Sequence, residues 1–238
     1  MYVIDPGSHF QQLDSSKVLL PTKSLAEWIY RDNWPEKSLV DWCAEVFAKS
    51  DKLFLDIGAH VGSYSWSLAS KFRHVHAFEP NREVYNALCA NSLLKGVSHR
   101  ITTHCLGLSN GAGKKDYYVR SQDGGGNGFS YLGAARDQLT PTCVLETRTL
   151  DSYGFEDVGF MKIDVEGHEI EVLEGALATL EKSGWPPFIF ESWASWRDTH
   201  DRVPASELRE KLFSYIHQIG YKIVSIRGYD EIFIAERA

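Results

Sequence analysis

The chain has 238 residues, 43% of them hydrophobic and 24% charged, a composition that excludes extensive disorder and supports a sizeable core in one large or two small domains. A net charge of −7 with no run of Lys or Arg disfavours long RNA or DNA as a partner, since nucleic-acid binders carry a basic face. With no signal peptide, no apolar run near the ~18 residues of a membrane span, and no CxxC pair among Cys43, Cys89, Cys105 and Cys143, a cytoplasmic protein with reduced thiols is expected, Cys89 and Cys105 reading as small core residues.

Residues 1–24, with Pro6, Gly7 and Pro21, read as irregular. Two helical patterns come next, Leu25–Arg31 and Ser38–Lys49. The second puts Leu39, Trp42, Val46 and Phe47 on one face, with Ser38 as N-cap. Residues 1–50 are thus an extension that either covers a ligand site or shields a sheet edge. Residues 51–238 are expected to form a single compact domain.

A strand–helix alternation begins at residue 53. Leu53–Ile57 is apolar except for Asp56, and Gly58 and Gly62 precede a helix carrying Tyr64, Trp66, Leu68 and Ala69. A buried strand, glycines and a helix open a doubly wound α/β fold. Gly58 lets the backbone approach a ligand without a Cβ, and Gly62 starts the helix close to the sheet. Asp56 sets a carboxylate at the strand's C-terminal end, where such sheets bind ligands. The spacing is Asp-x-Gly-x-x-x-Gly, looser than the triple-glycine turn that seats a pyrophosphate. It suits a ligand with ribose, amino and carboxylate groups but no phosphate, such as S-adenosylmethionine (SAM).

The second strand, 74–78, ends in Glu79, 23 positions after Asp56, about where an acid reaches a ribose in nucleotide-binding units. Asn81 is a plausible cap for a helix running to Lys95, with Val84, Leu88 and Leu93 inward. The third strand, Ile101–Leu106, leads to Ser109 and Asn110, which either bond an adenine edge or form a plain turn. Tyr117–Val119 and Cys143–Thr149 are further strand candidates. Between them, the glycine-rich 123–130 reads as a mobile loop, either an active-site cover or an exposed hairpin tip.

Gly159–Asp164 is the fourth strand, followed by a helix with Ile170, Leu173, Ala176, Leu177 and Leu180 on its face. Pro187–Glu191 is the fifth. A helix over Ser206–Gln218, capped by Ser206 with Arg209 and Glu210 outward, precedes a closing strand pair, Tyr221–Ile226 and Glu231–Ala235. Four strands therefore end in acids: Asp56, Glu79, Asp164 and Glu191. Carboxylates gathered where strands emerge are costly to bury and rarely serve a core.

The segments around Asp56–Gly62, Ala77–Pro80, Thr149–Tyr153 and Met161–Glu169 together resemble the FkbM family of SAM-dependent methyltransferases, over about residues 53–191. Lys162–Glu169 is the most distinctive part. His60 stands where the family often has Asn. The resemblance implies a class I, Rossmann-like fold with a mostly parallel sheet, helices on both faces and an antiparallel C-terminal edge hairpin. It implies SAM as cofactor, held by Asp56, Gly58, His60, Gly62, Glu79, Asn81, Ser109 and Asp164. It also implies methylation of a hydroxyl, most often on a sugar of a glycan or glycoconjugate, or on a non-sugar secondary metabolite.

An alcohol is too weak an acid to lose its proton unaided at neutral pH, so a base or a metal is required. The candidates are Asp164, Glu166, His168 and Glu191. His168 has the suitable intrinsic pKa, or is a capping or exposed histidine at a helix start. Asp164, Glu191 and His168 are candidate ligands for a hard cation such as Mg or Mn. Glu169 and Glu171 read as helix N-terminal charges. Trp193, Trp196, Arg197 and His200 either stack on a sugar ring or anchor a loop. A nicotinamide-dependent dehydrogenase lacks support, because no pyrophosphate turn or hydride-transfer pair is present. A non-catalytic SAM-binding module is disfavoured by the intact acids and Gly58.

Overall fold

The computed structural model describes residues 34, 36–119, 126–129, 141–195 and 204–237, and the backbone alone of 2–3 and 19–20. The helical pattern at Leu25–Arg31, residues 123–125, and Trp196, Arg197 and His200 lie outside the described residues. By compactness the described chain divides into two units, up to Leu106 and from Gly107 onward. The fold is mixed α/β with a mostly parallel sheet, as expected.

In the first unit, β1 (Tyr2–Val3) and β2 (Leu19–Leu20) form a short antiparallel ladder. Helix α1 (Lys37–Val46) precedes β3 (Lys49–Ile57), and α2 (Ser63–Leu68), β4 (Phe72–Phe78), α3 (Arg82–Leu94) and β5 (Ile101–His104) come after it. The strands β3, β4 and β5 are parallel with β4 central, Leu53 opposite His74 and Val75 opposite Ile101. Leu53–Ile57 is buried throughout, the mark of a strand covered on both faces. The exposed Lys49–Asp51 and the half-buried Lys52 extend β3 backward, which an apolar-run criterion misses.

Helix α1 differs from expectation. It starts one residue earlier, after Glu36, so Ser38 is inside it. Its buried residues are Leu39, Val40 and Cys43, whereas Val46 is 53% exposed at the turn into β3. Trp42 and Phe47 pack edge to face on each other, 5.4 Å between rings. In α3, Asn81 does cap, accepting from Glu83 and Val84 N–H at 3.0 and 3.4 Å. The inward positions are Val84, Ala87, Leu88 and Asn91, spaced three and four apart. Leu93 falls off that face and is 57% exposed. Cys43 is the buried thiol, with its pKa pushed up to about 12 by burial. Cys89 and Cys105, expected in the core, are half-buried.

The second unit holds two groups of strands. β6 (Gly107–Leu108) runs parallel to β8 (Cys143–Arg148), and β7 (Gly113–Tyr117) runs antiparallel to it. The third predicted strand therefore stops at His104, and Gly107–Leu108 serves this other sheet. β9 (Val158–Ile163) and β10 (Phe188–Glu191) are parallel. β12 (Ile232–Arg237) pairs antiparallel with β10 and with β11 (Tyr221–Ser225), which is the expected edge hairpin.

The helix after β9 is broken into α4 (Glu169–Glu174) and α5 (Leu177–Lys182) at Gly175–Ala176. A Cβ on Gly175 would lie 2.1 Å from the Ser109 carbonyl oxygen, so only glycine fits there. The break leaves Leu177 37% exposed while Val172, Leu173, Ala176 and Leu180 are buried. In α6 (Ala205–Gln218) the N-cap is Pro204 and Ser206 sits in the first turn. Arg209, expected outward, turns in. Its guanidinium donates to the carbonyls of Ser192 and Asp230 and lies 5.0 Å from the Phe233 ring centroid, a cation–π contact that draws the flat group under the hairpin.

Candidate active site

In the first unit, the turn after β3 is shaped by left-handed backbone at Gly58 (φ 76°), His60 (φ 52°) and Gly62 (φ 94°). The Gly58 and Ala59 N–H groups donate to the Phe78 carbonyl, which ties this turn to the end of β4. A Cβ on Gly62 would lie 2.5 Å from Leu88, so the glycine serves the approach of α3 as well as the turn. From α3, the buried Asn91 amide donates to the Val61 carbonyl at 2.9 Å. Asp56 is fully buried, and its Oδ2 accepts the Ser65 hydroxyl at 2.5 Å, clasping the strand to α2.

Glu79 is 6% exposed. Its Oε2 accepts the His60 N–H at 3.0 Å and its Oε1 accepts the Asn81 N–H at 2.8 Å. One carboxylate thus joins the glycine turn to the start of α3. His60 and Asn81, both expected to touch a cofactor, contribute their main-chain N–H groups to this arrangement. A carboxylate offers about four acceptor positions, so an oriented one can also take hydrogen bonds from two vicinal hydroxyls.

In the second unit, carboxylate oxygens of Asp164, Glu166 and Glu191 lie within 4.8 Å of one another. Each has a donor from a different place. The buried Lys162 ammonium sits 3.0 Å from Asp164 Oδ2, the Gly126 N–H donates to Glu166 Oε1 at 2.9 Å, and the Trp193 indole N–H donates to Glu191 Oε2 at 3.2 Å. Glu166 is held in a left-handed conformation (φ 57°), the turn that brings it back beside Asp164.

His168, expected with these acids, is directed elsewhere. It is 4% exposed, with Nε2 2.9 Å from the buried Ser109 hydroxyl and Nδ1 3.5 Å from Glu171. Burial, with Lys115 nearby, holds its pKa down at about 4, so the ring is neutral at pH 7. Ser109 is thereby engaged with His168 inside the second unit.

Glu169 is the residue that a sequence reading undervalues. Rather than an exposed helix charge, it is 5% exposed, and its Oε1 accepts the Val165 and Gly167 N–H groups at 3.2 and 3.1 Å. Burial raises its pKa to about 8. The available signal was an acid opening a helix directly after a glycine turn, able to reach back to free N–H groups as in a capping box. Asp151 is a second such case, its two oxygens accepting the Ala178 and Thr179 N–H groups at the start of α5.

The described part of the glycine-rich segment is packed, against the expectation of a mobile loop. Gly128 exchanges hydrogen bonds with Tyr118, and Phe129 meets Tyr117 edge to face at 5.1 Å. A Cβ on Gly107 would lie 2.1 Å from the Phe129 ring, so that glycine makes the hole the ring fills. Trp193 is an anchor: 9% exposed, it packs with Ala205 and Leu208. Beside it, Glu169, Ile170, Glu191, Leu208 and Lys211 line a cleft of about 60 Å³, well below the ~300–1,000 Å³ of a typical ligand pocket.

The pattern of the methyltransferase FkbM domain matches residues 56–223. The chain belongs to the FkbM methyltransferase family. Hexuronic acid methyltransferase AglP of Haloferax volcanii is 27% identical to this FkbM chain over 154 residues, 65% of this chain and 62% of that protein. The fold is similar to that of methyltransferase FkbM from Methylobacillus flagellatus KT, with a TM-score of 0.53 and 18% identity over 95% of this chain and 58% of that one. It is also similar to precorrin-6y C5,15-methyltransferase from Geobacter metallireducens GS-15, with a TM-score of 0.50 and 14% identity over 93% and 94% of the two chains. The FkbM chain thus spans about three fifths of the length of the first two relatives. Among the described residues, no helix is long and apolar enough to cross a membrane.

Membership in the FkbM family implies SAM, and the chemistry of Glu79 fits it: a buried carboxylate fixed through both oxygens by main-chain donors beside a glycine turn suits a ribose diol.

Proposed function

We propose that this chain is a SAM-dependent O-methyltransferase acting on a sugar hydroxyl of a glycan or glycoconjugate. The observation that carries the reading is the group of Asp164, Glu166 and Glu191 within 4.8 Å, each at the end of a parallel strand or on the turn just after one. When bound, SAM supplies an electrophilic methyl on a sulfonium. Glu79 would accept the ribose hydroxyls, and Gly58 and Gly62 would keep the turn open toward the cofactor. On the acceptor, the hydroxyl oxygen would take the methyl as the sulfonium S–CH₃ bond breaks and S-adenosylhomocysteine leaves as the neutral thioether, the hydroxyl proton passing to one of the three carboxylates. The name of the Haloferax relative, a hexuronic acid methyltransferase, supports a sugar as the acceptor class.

The Lys162 ammonium beside Asp164 brings a positive charge to this acidic group, and the proton passes to a carboxylate with no divalent cation assigned a role. The deciding experiment incubates the protein with SAM and a panel of neutral and uronic glycosides, followed by mass spectrometry. A gain of one methyl on a sugar, insensitive to EDTA, is expected. Methylation confined to non-sugar hydroxyls would overturn the sugar assignment. Loss with EDTA and recovery with Mg²⁺ would replace the carboxylate route by a metal, and no heat of binding with SAM would overturn the enzyme.

A further inference from the structure

Glu191 is the last residue of β10, and the residues after it are held with unusual thoroughness. The Ser192 N–H donates to the Glu231 carbonyl and the Ala194 N–H to the Glu231 carboxylate, both at 2.7 Å. The Arg209 guanidinium donates to the Ser192 carbonyl from the other side, and to Asp230. Within this clamp, the Trp193 ring is buried against Ala205 and Leu208 with its N–H directed at Glu191 Oε2, 3.2 Å away.

The arrangement answers an electrostatic difficulty. A glutamate side chain has three rotatable bonds, and like charges close by favour swinging it away into water. Asp164 and Glu166, within 4.8 Å, supply that repulsion. An indole N–H is a donor only, and it is neutral, so it pins an accepting oxygen without adding a counter-charge that would weaken the base. Phenylalanine would fill most of the same apolar hole and hold nothing.

We propose that Trp193 is a positioning residue, its buried indole N–H fixing the Glu191 carboxylate so that the acceptor hydroxyl meets a preorganised base. The proposal rests on the methyl-transfer reading for its kinetic consequence but not for the contact itself, and the test separates the two. Trp193→Phe should lower kcat by about ten- to a hundredfold, the weight of a hydrogen bond to a charged group, with acceptor KM and SAM affinity within about twofold of wild type. In a Glu191→Gln background the same change should cost nothing further.

The second readout needs no turnover. In protein labelled with ¹⁵N-tryptophan, one of the seven indole N–H signals should move on Glu191→Gln, and that signal should vanish in Trp193→Phe. An equal kcat loss in both backgrounds, an unchanged kcat, or seven unmoved indole signals would each overturn the proposal. Should Trp193→Phe fail to fold, the spectrum of Glu191→Gln decides alone. A wild-type protein that methylates no hydroxyl while its indole signal responds would sink the function and leave the contact standing.

Discussion

The turn after β3 and the acidic group after β9 are assembled by opposite means. Around Glu79 the main chain does the holding: three left-handed residues, two N–H groups on one carboxylate, and a glycine whose missing Cβ admits Leu88. Around Asp164 three separate carboxylates are each held by a donor of their own: Lys162, two residues before Asp164, the Trp193 indole, two residues after Glu191, and the remote Gly126 amide on Glu166. A site of the first kind is legible from a short motif and tolerates few substitutions within it. A site of the second kind depends on the ends of β9 and β10 being brought together, which no local pattern announces.

The contrast is open to measurement, and the acidic group should give the larger effect. Of Asp164→Asn, Glu166→Gln and Glu191→Gln, at least one should reduce kcat by about 10²–10⁴ while SAM affinity measured by calorimetry holds. Near-normal turnover in all three would place the proton acceptor outside this group. On the other side, Glu79→Ala should weaken SAM by about tenfold or more, since a charged acceptor of two hydrogen bonds is removed. Unchanged affinity in a folded variant would reassign the ribose contact.

A smaller effect concerns stability against pH. Glu169 titrates at about 8 in the fold against an ordinary 4.5, so between those values the folded protein binds more protons than the unfolded chain. Its contribution to stability therefore declines as pH rises from about 4.5 to about 8. His168 and His76, held at about 4 against 6.5, act in the opposite sense, and their gain is complete by about pH 6.5. From pH 6.5 to 8 the melting temperature of wild type should fall, and Glu169→Gln should flatten that slope. A slope that survives the substitution would mean that Glu169 already ionises in the folded protein.

The parts of the fold that were legible share one cause: they are local. The apolar run Leu53–Ile57, the Asn81 cap, the acid at Glu79 and the closing hairpin each depend on residues within a few positions of one another. Helix faces were read less well where the inward residues are small or polar, as with Cys43, Asn91 and Ser92, because a hydrophobicity pattern prefers Val46 and Leu93 in their place. The environments of Arg209 and His168 were not legible, and that of Glu169 was only hinted at by its place after a glycine turn. Whether an acid at a helix start faces water or two amide N–H groups depends on the path of the preceding turn, and that path is set by packing. Phe129 shows the same limit: the glycines around it suggest mobility, yet Gly107, far back in the chain, provides its seat.

Position 60 carries the consequence of building a site from main chain. At His60 the turn uses an N–H directed at Glu79 from a backbone at φ 52°. Asn and His are both enriched in that left-handed region, whereas β-branched side chains are rare there. In a saturation library scored for cofactor retention, the ranking at this codon should therefore track left-handed propensity, with Gly, Asn and Asp near the top and Val and Ile at the bottom. Neighbouring codons should sort by size or charge. The substitution spectrum at this position would thus read out the left-handed turn that the site is built on.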